Sequence, residues 1–190
     1  MPVPKTTILE IVTKIARKCD SHPAVIALVG NRDFSAEKIP EKVEQRAKDM
    51  EEEGLILVEK GAPFGKLFPL LDTIIIHGGL GTTAEALRVG VPVIVTGVLL
   101  MDQRFWGKRV HDLGFGPEPI HITDFKSNCV ALLNEALNDC SKFRFLAEKK
   151  AQELFPSEDG DGVEENVETC IKFIEEATGQ KGKFVFSAVD

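Results

Sequence analysis

The chain reads as an α/β protein, a Rossmann-like doubly wound parallel sheet with helices on both faces. Three observations predict this. Short β-branched runs alternate with amphipathic segments, the links between them are a few residues long, and the strand-like runs are apolar throughout, as strands covered on both faces are. Crossovers between parallel strands are right-handed, so such a series winds into one sheet. The 190 residues suffice for one such domain and fall short of two.

From Pro4 to Cys19, the residues Ile8, Ile11, Val12, Ile15 and Ala16 recur at helical spacing, with Thr6 or Thr7 placed to cap the helix. AVIALVGN (24–31) follows as a buried strand ending in Gly30-Asn31. The charged stretch AEKIPEKVEQRAKDMEEEG is helical in part and stops at Gly54, its charges forming a solvated face. LILVE (55–59) is the next strand, LFPLLD (67–72) a short helical turn, and TIIIH (73–77) a strand expected to be covered on both faces. TTAEALRVG is a helix that starts near Thr82 and is closed by Gly90, and VPVIVTG is another buried strand. RFWGKRVHDLG, FKSNCVALLNEALND, SKFRFLAEKKAQELF and VEENVETCIKFIEEAT read as four further helices. KGKFVFSAVD stays open between a terminal strand and a disordered end.

A net charge of −7, from 30 acidic and 23 basic residues, argues against an electrostatic footprint for nucleic acid or for an anionic membrane surface. An anionic ligand must therefore be held by a local site. Cys19, Cys129, Cys140 and Cys170 lack CxxC spacing and histidine partners for zinc, so they read as free thiols in a reducing compartment. The N-terminal stretch is amphipathic rather than a leader, and no apolar run approaches the roughly 20 residues that span a bilayer. The expectation is a cytoplasmic protein, with room left for peripheral membrane contact.

In an open parallel sheet, ligands bind outside the carboxyl ends of the strands. HGGLGTT, Gly30-Asn31 and the loop after VPVIVTG should therefore converge on one edge. Gly78, Gly79 and Gly81 let the backbone approach a ligand, and the unpaired N–H groups of the following helix suit phosphate oxygens. Thr82 and Thr83 either add hydroxyl donors or cap that helix. His77 can donate a ring N–H to phosphate or to a backbone carbonyl. Glu85 can accept from ribose hydroxyls or complement the helix dipole. Asp102 with Gln103 offers an acceptor beside a donor, as vicinal sugar hydroxyls require, or Asp102 caps the next helix. Each pair of readings stays open for a single residue, and their coincidence favours a sugar-phosphate cradle. GxGxxG is absent, so the dinucleotide fingerprint is not met. His111 and His121 read as structural or surface residues, Trp106 as a packing anchor, and PSEDGDGVEE as a solvated loop without EF-hand spacing.

HGGLGTTAEALRVGVPVIVTGVLLMDQRFWGKRVHDLGFGP resembles the donor-binding signature of UDP-sugar-dependent glycosyltransferases with the GT-B fold, most of all the sterol 3-beta-glucosyltransferase branch. Looser similarity runs from Pro4 to about Thr178 and includes EDGDGVE. The resemblance implies that His77, Gly78, Gly79, Gly81, Thr82 and Thr83 hold the diphosphate, Glu85 the ribose, and Asp102 with Gln103 the hexose. Plant relatives stack the uracil on a tryptophan, whereas here Ala62, Pro63 and Phe64 are the candidates.

It also implies a nucleotide-sugar-binding domain over residues 1–178 with a tail at 179–190, the C-terminal half of a GT-B enzyme. The general-base histidine would belong to an acceptor domain outside these residues, so no catalytic residue is assigned here. The substrate would be UDP-glucose or a related UDP-sugar, with no cofactor and no metal, and the acceptor a lipid or sterol. The family's opening strand, which ends in a Gly-Ser loop, is replaced by MPVPK, so the sheet should lack a strand and leave an edge or a place for a partner's strand. A non-catalytic fragment or interaction module that keeps the fold is the alternative, and a different phosphate-ligand α/β protein a remoter one.

Overall fold

A computed structural model describes residues 3–30, 37–138, 140–155 and 163–179, the side chains of 163–166 excepted. They fall into two compact units, divided after Leu154. The first unit holds α1 (Lys5–Lys18), β1 (Val25–Leu28), α2 (Glu41–Glu52), β2 (Ile56–Glu59), α3 (Phe64–Leu67), a 3-10 turn (Phe68–Leu70), β3 (Ile74–Ile76), α4 (Leu80–Val89), β4 (Val93–Gly97), α5 (Met101–Asp112), β5 (Ile120–His121), α6 (Ile122–Leu137) and α7 (Lys142–Leu154). The second contains α8 (Val163–Thr178), ended by Gly179 at φ 68°. Asn31, the EDGDG loop and the KGKFVFSAVD tail lie outside the described residues.

The fold class is the expected one, mixed α/β with parallel strands and helices on both sides. The pairing falls into two sheets, β1-β2 and β3-β4-β5, with no ladder between β1 and β3 among the described residues. Val25 stands opposite Ile56, Ile74 opposite Val93, and Thr96 opposite Ile120, all in parallel. β4 is buried along its whole length, as its apolar run Val93–Val95 leads one to expect, with Thr96 buried after it. On one face of β3 and β4, the side chains of Ile74, Ile76, Val93 and Val95 pack with Ala86 of α4, Val110 of α5 and Ala147 and Ala151 of α7. On the other, Ile94 packs with Ile11 and Ile15 of α1 and with Phe125, Cys129 and Leu133 of α6. α1 also covers β1 and β2, where Leu9, Val12 and Ala16 meet Ala27 and Ile56.

Several boundaries differ from those expected. Pro4, not Thr6 or Thr7, is the N-cap of α1, with no side chain capping it; proline's fixed φ lets it start a helix without an N–H to satisfy. α4 begins at Leu80, two residues before Thr82, because Gly79 takes the extended N-cap conformation. Ile75 is 37% exposed, so β3 is not covered on both faces. β5 is only two residues long, too short for a period-2 pattern to register in sequence.

Gly90 closes α4 as expected, in the left-handed conformation at φ 75°. A Cβ there would lie 3.1 Å from Ala151 Cβ and 3.4 Å from Glu148 Cα on α7. Gly90→Ala is expected to lower stability by about 1–2 kcal/mol, from φ strain and crowding of α7 together, as measured by urea unfolding. All four cysteines are free thiols. Burial, then the neighbouring Cys129 and Asp20, push the Cys19 thiol up to about 11, and burial also raises that of Cys129. Both therefore behave as small apolar groups at the α1–α6 contact.

Candidate functional site

The carboxyl ends of β3 and β4 deliver the two halves of the glycine-rich signature to one edge of the sheet. β3 runs directly into His77, and β4 into Gly97, where a Cβ would sit 3.9 Å from His77 Cβ. The turn after His77 depends on Gly78, whose φ of 82° is left-handed and whose missing side chain leaves room for α5. A Cβ at Gly78 would meet Val95 Cγ1 at 2.8 Å and the Gln103 carbonyl oxygen at 2.9 Å. That close approach joins the HGGLGTT loop to the first turn of α5.

Gly79 is the N-cap of α4, and its N–H donates to His77 Nδ1 at 3.0 Å. Because Nδ1 accepts, the neutral ring carries its proton on Nε2, and the residue is exposed. Thr83 N–H closes the first helical bond to Gly79 O, which leaves the N–H groups of Leu80, Gly81 and Thr82 without intrahelical acceptors. No carboxylate occupies the first turn of α4, so the positive end of its dipole is uncompensated there. Thr83 is buried and donates its hydroxyl to Gly79 O at 2.9 Å, a bond within the helix, while Thr82 is half-buried beside the open Gly81. Neither threonine caps the helix, since no side chain bonds to its N-cap position.

On α5 the N-cap is Leu100, so Asp102 is not the cap; it stands at the second helical position, exposed, where its charge complements the dipole. Gln103 Oε1 accepts from Leu100 N–H at 3.0 Å, which fixes the side chain and leaves its amide NH2 to donate. Leucine offers no side-chain acceptor, so only this half of a capping box exists. An acceptor carboxylate and a donor amide thus stand side by side at the start of α5. Sequence reasoning missed what holds this turn: Leu99 adopts φ 54°, and Arg104 Nε donates to Leu99 O at 2.8 Å. A buried leucine in left-handed backbone carries no sequence signal.

Glu85 lies farther along α4 and lines an open cleft of about 420 Å³ with Phe64, Gly65, Pro69, Arg88 and Val89. Phe64 stacks on Phe68 at 4.7 Å between ring centres, so its orientation is set by packing. Of the three uracil candidates, Phe64 is the one that shares a cleft with Glu85; Pro63 is the N-cap of α3 and Ala62 precedes it. His111 and His121 are engaged elsewhere. His111 Nδ1 bonds to Gly116 O at 3.0 Å, and His121 is the N-cap of α6, with Nδ1 2.8 Å from Thr123 Oγ1. Trp106 is half-buried and packs edge-on against Phe105.

No protein-family model matches the chain. It is 35% identical over 116 residues to a sterol 3-beta-glucosyltransferase of Arabidopsis thaliana, covering 60% of this chain and 17% of that protein. It is 48% identical over 65 residues to a terpene cyclase-glycosyl transferase fusion protein of Humicola fuscoatra, covering 34% of this chain and 5% of that one. The chain thus spans less than a fifth of the curated relatives it matches. Among solved structures, the glycosyltransferase SnogD from Streptomyces nogalater superimposes with a TM-score of 0.53 at 21% identity, over 81% of this chain and 37% of that one. CalG4, the calicheamicin glycosyltransferase, superimposes with a TM-score of 0.62 at 14% identity, over 94% of this chain and 40% of that one. The fold is that of GT-B glycosyltransferases, in the form of their C-terminal domain. Within that class, the chain is homologous over part of its length to the sterol 3-beta-glucosyltransferases.

No helix among the described residues is long and apolar enough to cross a membrane.

Proposed function

We propose that residues 1–178 form the donor half of a hexosyltransferase that binds a UDP-sugar, UDP-glucose in the first instance, and works with an acceptor domain outside these residues. The observation that carries this reading is the close approach at Gly78, which brings the loop after β3 against Gln103 at the start of α5. A diphosphate at the α4 N-terminus would meet the free N–H groups of Leu80, Gly81 and Thr82 and the His77 Nε2–H, with Gly78, Gly79 and Gly81 keeping the backbone accessible. Ribose hydroxyls would reach Glu85, with the uracil against Phe64, and the hexose would lie on Asp102 and Gln103. In an inverting transfer the acceptor hydroxyl loses its proton to a base as the glycosidic bond forms, and the nucleoside diphosphate leaves with its added charge. These donors would stabilise that charge without a metal. The base would come from the acceptor domain. Homology to sterol glucosyltransferases supports a sterol or similar lipid as acceptor, and with it a cytoplasmic site of action at a membrane surface.

Isothermal titration separates the parts. UDP and UDP-glucose should both bind, and His77→Ala should weaken both about 10- to 100-fold, the value of a hydrogen bond to a charged group. Asp102→Ala should weaken UDP-glucose and leave UDP unchanged. A folded chain that binds neither ligand overturns the reading. The division of the strands into two sheets favours the second reading, a non-catalytic module that keeps the fold. Glucosyl transfer to a sterol by the chain alone would contradict that alternative.

A further inference from the structure

The outer surface of α1 borders a second cleft, of about 650 Å³, none of whose lining residues belongs to the donor loop or to α5. Its charged side chains are Glu10, Lys14, Arg17 and Lys18 on α1, Arg46 on α2 and Lys126 on α6. All but Glu10 are cations, in a chain whose acids outnumber its bases.

The nearby carboxylates are engaged. Glu10 pairs with Lys126, which leaves the other four cations without a carboxylate in the lining. Beside Arg46 on α2, Glu44 pairs with Lys48, and Asp49 accepts from Gln45. Arg17, Lys18 and Arg46 have no ion pair among the described residues. Lys14 is held in place rather than neutralised. Its ammonium donates to the carbonyls of Lys126 and Ser127 at 2.8 and 3.0 Å, and one of its N–H groups remains to donate. Lys14 and Lys18, four positions apart on one helix, repel each other. The dipole of α1 favours Arg17 and Lys18 in its last turn, but it does not account for Arg46, which another helix brings to the same cleft.

The density of this charge selects the occupant. Lys14, Arg17 and Lys18 fall within little more than one helical turn, about 6 Å of axis. An extended acidic peptide places same-face carboxylates about 7 Å apart, with one charge on each. A phosphomonoester concentrates about two charges on one centre and offers three oxygens to guanidinium and ammonium donors. Two such groups balance the four cations. No aromatic or large aliphatic side chain belongs to the lining, so a nucleobase has nothing to stack on and an acyl chain nothing to pack against. We infer that the cleft between α1, α2 and α6 binds a small anion carrying at least two clustered phosphate groups on a polar frame, free in solution or as a lipid headgroup. The chain's own acidic stretch, PSEDGDG, brings single charges and follows α7, which packs on the face of β3 and β4 opposite to α1.

Titration calorimetry on the full chain tests the cleft, with inorganic tripolyphosphate as the probe and orthophosphate for comparison. Tripolyphosphate should bind at least about tenfold tighter than orthophosphate. Arg17→Gln and Arg46→Gln change exposed side chains and should leave the melting temperature unchanged, yet each should weaken tripolyphosphate about tenfold, the value of a hydrogen bond between charged groups. Lys149→Gln on α7 should have no such effect. His77→Ala should leave the Arg46-dependent event in place, which separates this cleft from the donor loop. Sedimentation with phosphatidylcholine vesicles containing phosphatidylinositol bisphosphate then assigns the source. Recruitment that Arg46→Gln abolishes identifies a headgroup, and soluble binding without recruitment identifies a free ligand. The inference is overturned by any of four results: neither binding nor recruitment; equal affinity for orthophosphate; equal losses in Lys149→Gln and Arg46→Gln; or binding that appears only after Glu158, Asp159 and Asp161 are changed to their amides, which would mean that the chain's own carboxylates hold the cleft.

Discussion

Gly116→Ala is expected to be the most damaging alanine substitution among the described glycines, lowering stability by at least about 3 kcal/mol and the melting temperature by roughly 10 °C. A Cβ at Gly116 would fall 1.9 Å from the carbonyl oxygen of Val93 and 2.9 Å from its carbon. Neither neighbour is the end of a flexible side chain. Both belong to β4, which is buried throughout and bonded to β3 and β5, so relief requires moving the central strand of its sheet. The preceding turn leaves equally little slack. Gly114 N–H donates to His111 O and Phe115 N–H to Val110 O, the two bonds of a Schellman motif, with Phe115 and Val110 fully buried against the core. Val93 N–H then donates to Phe115 O. Gly65→Ala, where a Cβ meets nothing within 4 Å, is the control and should change the melting temperature by no more than a few degrees. Circular dichroism melts of both variants decide the matter, and an unshifted melt for Gly116→Ala would show that the turn can be rebuilt elsewhere.

These glycines illustrate what the sequence makes legible. The periodicity of Ile8 to Ala16 and the apolar runs VIAL, ILVE, III and VIVTG mark α1 and four strands, because burial repeats at the period of the backbone. Caps are less legible. Threonine at 6, 7 or 82 and aspartate at 102 carry good capping side chains, but the N-cap position is set by which residue holds an extended φ and ψ, and Pro4, Gly79 and Leu100 hold it. The division into two sheets beneath α1 is a tertiary outcome. In the site, the motif spacing places His77 and Gln103 on the same edge of a parallel sheet, while the Arg104 clamp on Leu99 O depends on one strained residue that no pattern marks. The meeting of Phe64 with Glu85 is likewise a matter of how α3 packs beside α4.

Gly78→Ala should separate stability from ligand binding in a way that Gly116→Ala cannot. The cost has two parts: a non-glycine residue at φ 82°, and a Cβ within 3 Å of Val95 Cγ1 and Gln103 O. The two together should destabilise by about 2–3 kcal/mol. The obstacle on one side is the first turn of α5, which begins at the exposed residues Leu100 and Met101, so the chain can yield by letting α5 swing outward rather than by distorting β4. That movement leaves His77 and the N-terminus of α4 in place and carries Asp102 and Gln103 away from them. Affinity for UDP-glucose should then fall at least tenfold while affinity for UDP falls by less than threefold, a separation that titration at 10 °C, well below the variant's melting point, can read. Equal losses for the two ligands would mean that the turn after β3 itself had collapsed. Unchanged affinity for both would mean that Asp102 and Gln103 take no part in holding the sugar, and the donor reading of α5 would fall with it.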